Sequence, residues 1–128
     1  MIITEIKPYG LIKSQLNKKD EIGIVSCNSC PRICETGGEK EMEKLAKRLK
    51  KDGFNVVDKD LIGRACDFDL LKKDELHGTT TIVLACDAGV YNLHKLFPKR
   101  KIVVALSTIG LGAFDHKGNL TLVKKFEG

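Results

Sequence analysis

The segment Ile22-Gly-Ile-Val-Ser26-Cys27-Asn-Ser-Cys30-Pro-Arg-Ile-Cys34-Glu-Thr-Gly37-Gly38 passes from an apolar run through three cysteines to a pair of glycines. Ile22–Ser26 is short, unbroken and bounded by charge on one side and cysteine on the other, the pattern of a strand buried on both faces. Beyond Gly38, Met42, Leu45, Ala46 and Leu49 recur at helical spacing. Glu39, Glu41 and Glu43 are answered by Lys44, Lys47 and Lys50, with acids early and bases late as the helix dipole prefers. Asp52-Gly53 stops the helix. The unit is a strand, a cysteine loop and a helix.

The same alternation extends outward in both directions. Before it, Ile2-Ile-Thr-Glu-Ile6 predicts a short strand or arm, and Leu11, Ile12 and Leu16 after Pro8 predict a helix of two to three turns. After it come a strand from Phe54 to Val57, a short helix over Asp69–Leu76 and a strand over Thr79–Ala85. A helix over Ala88–Leu96, halted before Pro98, leads to a buried strand over Lys101–Leu106. Asp115-His-Lys-Gly118-Asn predicts the turn of a C-terminal β-hairpin between Ala113–Asp115 and Asn119–Val123. Buried strands alternating with helices imply a parallel sheet with right-handed crossovers. The expected fold is a small three-layer α/β, Rossmann-like domain with a C-terminal hairpin, one domain over residues 1–128.

Composition narrows the function. The chain has 128 residues, a net charge of +5 and few aromatics. Its excess lysines are scattered in pairs such as Lys50–Lys51 and Lys72–Lys73, not gathered in an aromatic-interleaved stripe, so no nucleic-acid partner is expected. The apolar runs are too short to cross a membrane, and no secretory signal opens the chain, so a cytoplasmic protein is expected. His77, His94 and His116 are scattered, and no nucleophile–histidine–acid arrangement or catalytic carboxylate pair can be assigned.

Five cysteines are the distinctive feature, and an odd count in a chain expected to be cytoplasmic argues against a disulfide framework. Cys27, Cys30 and Cys34 follow one predicted strand with C-x2-C-x3-C spacing. Cys66 follows the next strand, and Cys86 ends a third. All five are thereby expected in strand-to-helix loops at the carboxyl ends of a parallel sheet, the edge where open α/β sheets bind ligands. Four thiolates complete either a tetrahedral zinc site or a 4Fe–4S cluster, and the spacing does not choose between them. Distal ligands that are singletons favour the iron–sulfur cluster, with zinc as the alternative. Cys27, Cys30 and Cys34 are the first three ligands. Cys66 is favoured as the fourth because its loop can adapt, with Cys86 lining the site or exchanging with it. A C-x-x-C after a strand is also thioredoxin-like, but the third cysteine and the two distal ones weigh against that.

Gly37-Gly38 and Gly89 open the helices beside the cysteines. There they either offer backbone N–H groups to an anionic cluster or merely permit sharp turns. No G-x-G-x-x-G accompanies them, which argues against a dinucleotide site. Ser107-Thr-Ile-Gly-Leu-Gly112 is expected as a wall of the site or a polar turn.

Cys27-Asn-Ser-Cys30-Pro-Arg-Ile-Cys34-Glu-Thr-Gly-Gly38-Glu-Lys-Glu41, Cys66 and Ala85-Cys86-Asp-Ala-Gly89-Val resemble the methylenetetrahydrofolate reductase C-terminal family. Ile3-Thr-Glu-Ile-Lys-Pro8 and Ser107–Gly112 fit the same pattern, so the resemblance spans roughly residues 1–112. It implies a non-catalytic, metal-binding accessory subunit, carrying an iron–sulfur cluster or zinc beside a flavin-containing large subunit that reduces methylenetetrahydrofolate. The role expected is electron relay or structural support. The alternatives are a stand-alone zinc scaffold and a thiol enzyme using Cys86 at a helix N-terminus.

Overall fold

The computed structural model describes residues 1–127. The chain runs β1 (Ile2–Ile6), α1 (Tyr9–Ser14), β2 (Glu21–Cys27), α2 (Cys30–Ile33), α3 (Gly38–Lys51) and β3 (Asn55–Ile62). It continues through α4 (Phe68–Lys72), β4 (Thr80–Leu84), α5 (Asp87–Leu96), β5 (Lys101–Val104), β6 (Leu106–Phe114) and β7 (Leu120–Lys125). The architecture is mixed α/β with two sheets: a parallel one of order β3-β2-β4-β5 and an antiparallel one of order β1-β6-β7. Among the described residues no helix is long and apolar enough to cross a membrane.

Strand alternation divides the core of the parallel sheet in two. Ile22 and Ile24 of β2 and Ile82 and Leu84 of β4 join Ile12 of α1 and Met42, Ala46 and Leu49 of α3. Val25 and Cys27 of β2 and Val83 of β4 join Leu71 of α4 and Leu93 of α5. Both strands carry apolar residues at consecutive positions because both faces are covered. Outside the first cluster, the Tyr9 hydroxyl donates to Asp52 Oδ2 at 2.6 Å, while the Arg48 guanidinium stacks over the Tyr9 ring.

The order β3-β2-β4-β5 contains a reversal. From β2 the chain moves to β3 on one side, then crosses back to β4 on the other. The gap between the carboxyl ends of β2 and β4 is therefore a topological switch point, the crevice where doubly wound sheets take ligands.

Four local expectations change. Ser107–Gly112 is not a turn but the body of β6, which pairs with β1 and β7. Its glycines suit a strand because neighbouring side chains lie across them: a Cβ on Gly112 would meet Ile3 Cδ1 at 2.6 Å. The strand after α3 runs on to Ile62, because β3 is an edge strand and tolerates Asp58, Lys59 and Asp60. The helix expected over Asp69–Leu76 starts earlier and ends at Lys72, since the Asp67 carboxylate caps the N–H groups of Asp69 and Leu70. The C-x2-C-x3-C segment is not plain loop but encloses the single helical turn of α2, with Pro31 in its first turn. The expected hairpin forms, with Gly118 at φ +81° and Asp115 Oδ1 accepting from the Lys117 and Asn119 N–H groups.

Candidate functional site

Cys27 is the last residue of β2, and Cys86 is the residue before α5, separated from the end of β4 by Ala85. They flank the switch point. Cys66 lies in the turn between β3 and α4. Cys27 and Cys86 are buried, whereas Cys66 is exposed. Cys66 and Cys86 are both close enough to Cys27 to act on its thiol. Burial pushes the Cys27 thiol up, N–H donors from Ala65 and Ser29 partly offset this, and negative charge on Cys66 or Cys86 pushes it further up. Cys27 is accordingly a neutral thiol at neutral pH.

The loop bearing Cys66 is anchored one residue earlier, contrary to the adaptable loop expected. Ala65 has no exposed surface, its N–H donates to Cys27 Sγ at 3.4 Å, and its carbonyl accepts from Asn92 Nδ2 at 3.1 Å. Gly89 makes this possible: a Cβ there would stand 2.8 Å from the Cβ atoms of both Ala65 and Ala85. Gly89 thus serves a close approach of α5 to the Cys66 turn. Asn92 is the residue the sequence reading missed; its only signal was an amide between Tyr91 and Leu93 in an otherwise amphipathic helix.

Cys30 opens α2 and Cys34 follows its last turn. The Cys34 thiol faces the Ile2 carbonyl of β1, with Sγ at 3.8 Å from the oxygen. Glu35 then takes a left-handed conformation with φ of +59°, a strained choice for a residue with a side chain. The glycine pair is tied down by protein partners. The Gly37 N–H donates to the Pro31 carbonyl, and the Gly38 N–H donates to Ser26 Oγ at 2.8 Å. Gly38 has φ of +81°, and a Cβ on Gly37 would meet Pro31 Cβ at 2.6 Å, so the pair serves tight packing of α2 on the start of α3. Ser26 and Cys27 point to opposite faces of β2, so one strand end caps α3 and supplies a thiol.

The antiparallel sheet closes the site from the side. Thr4 Oγ1 of β1 lies 2.6 Å from Thr36 Oγ1 in the cysteine segment. Thr108 Oγ1 of β6 accepts from the Asp87 N–H next to Cys86 at 3.0 Å. Thr4 and Thr108 are partners in the β1–β6 register.

Cys66 and Cys86 thus both lie near Cys27, while Cys34 faces β1. Their chemistry suits a thiophilic metal or a cluster. Among the described residues, no three His, Cys, Asp or Glu side chains are gathered closely enough to hold a metal ion. No family model matches the chain, and no curated protein or solved structure matches it.

Proposed function

We propose that this protein is an accessory metal-binding subunit of a redox flavoenzyme, resembling the methylenetetrahydrofolate reductase C-terminal family. Cys27, Cys66 and Cys86, with Cys30 and Cys34 alongside, would hold the bound group, an iron–sulfur cluster or zinc. One observation supports this above the others: Cys27 at the end of β2 and Cys86 before α5 flank the switch point, and Cys66 in the β3–α4 turn is near enough to act on the Cys27 thiol. Helices packed on both faces of the parallel sheet support the finer description of a Rossmann-like, three-layer domain. A bound cluster would supply one-electron transfer to a flavin-containing large subunit, whereas zinc would supply a fixed cross-link between loops. The chain's own contribution is to exclude water from Cys27 and Cys86 and to hold the Cys66 turn through Gly89 and Asn92. Because Cys27 is protonated without a cation, loading must release its proton, and affinity rises with pH.

Metal and sulfide analysis of anaerobically purified or reconstituted full-length protein tests this. Stoichiometric iron with sulfide and visible absorbance supports the cluster, and stoichiometric colourless zinc supports the scaffold. In either case Cys27→Ser should lose most of the bound metal. Metal-free protein after reconstitution overturns the proposal.

A further inference from the structure

β3 carries Asp58 and Asp60 on the face it shares with Gly23 and Val25 of β2. The connection from α4 to β4 returns across that face. His77 O lies 3.1 Å from where a Gly23 Cβ would stand, with Asp58 Cβ at 3.8 Å. Asp74 lies in this connection, and its carboxyl group is within hydrogen-bonding reach of Asp60. Asp74 Oδ2 is buried and has no protein donor. A buried carboxylate oxygen without a donor is costly, unless a proton sits between it and a neighbouring carboxyl.

The surrounding charges leave a proton as the remedy. Asp58 lies within hydrogen-bonding reach of Asp60 and its charge acts on both carboxyls, Glu75 adds a further acid, and His77 is the basic group acting on Asp74. Lys59 is engaged with Glu43 at 2.8 Å. Arg100 spends its guanidinium on the His77 and Gly78 carbonyls and on Thr81 Oγ1.

We propose that Asp60 and Asp74 form a proton-sharing latch that holds the α4–β4 connection on edge strand β3 and opens as pH rises. Asp60 donates and Asp74 accepts. Burial, then the Asp74 charge, pushes the Asp60 carboxyl up to about 7, and burial raises Asp74 as well. The sign follows from linkage. The closed latch binds a proton that the open one releases at ordinary carboxyl values, so opening grows from about pH 4 to about pH 7 and levels off above. The segment released is α4 with its connection, whose other end is the Cys66 turn. The latch stands independently of what the cysteines bind.

Amide hydrogen exchange over residues 68–78 of the reduced, metal-free full-length protein tests it, corrected for intrinsic pH dependence. The expected result is a rise of roughly fiftyfold in local opening between about pH 5 and about pH 7, since one-proton linkage gives up to about tenfold per pH unit and flattens as the closed-state value is reached. Asp60→Asn keeps a donor but removes the titration, so its opening should be low and flat with pH. Wild-type opening that is flat across this range, or an Asp60→Asn protein with the wild-type slope, overturns the latch. If Asp60→Asn does not fold, carboxyl-carbon NMR titration of the wild type decides: both Asp60 and Asp74 titrating in the ordinary carboxylate range overturns it, and one held near neutrality upholds it.

Discussion

β4 and β7 both draw on threonine, valine and leucine but live in opposite surroundings. Thr80-Thr-Ile-Val-Leu84 has every residue buried, while Leu120-Thr-Leu-Val-Lys-Lys125 is exposed along almost its whole length. Val83 has no accessible surface, and Val123 keeps 62% of its own. The difference lies in neighbours. β4 has a strand on each side and helices on both faces, whereas β7 has β6 on one side and an open edge on the other. Burial is a property of position in the sheet, not of apolar content. Cys27 and Cys86 follow the same logic, buried at the ends of the two central strands, whereas Cys66, after edge strand β3, is exposed.

The largest effect should come from the buried strand. Ile82→Ala is expected to cost about 2–5 kcal/mol, because the residue is fully buried between β2, β5 and the α1–α3 cluster. Urea denaturation measures it, and a loss near that of a surface substitution would mean β4 is not the centre of the core. An intermediate effect tests how the core grips the site. Gly89→Ala should cost about 1–3 kcal/mol by forcing α5 away from Ala65 and Ala85. Asn92→Ala should cost about 1–3 kcal/mol by leaving the buried Ala65 carbonyl unpaired. Because both act on the same turn, the double variant should lose less than the two added together. Full additivity would show that the Cys66 turn is not clamped from α5. The smallest effect belongs to the exposed strand: Val123→Thr should change stability by no more than about 0.5 kcal/mol. A larger loss in solution would show that β7 is covered by a partner or a second copy, and would collapse the contrast with β4.

Periodicity made the parallel sheet legible, because strands buried on both faces leave unbroken apolar runs and the helix from Gly38 carries its own stripe, charges and stop signal. The hairpin was legible from its glycine turn. The edge that gathers the cysteines was equally legible, since strand-to-helix loops of a parallel sheet share one side. Ser107–Gly112 misled because glycine and serine read as a turn unless the side chains laid over them are known. The α2 turn was hidden because four residues are too few to show a period.

Local pattern alone settled the alternation of strands and helices, and with it the side of the sheet on which Cys27, Cys66 and Cys86 stand. Pattern could not decide which strands are neighbours, because pairing is set by crossovers between segments distant in the chain. Only the tertiary structure placed β2 beside β4 and put Cys27 and Cys86 across one crevice. It alone turned Cys34 toward β1, anchored Ala65 through Asn92, and set Asp60 against Asp74, residues fourteen positions apart. Each of these depends on the direction of a side chain after packing, which no periodicity along the chain encodes.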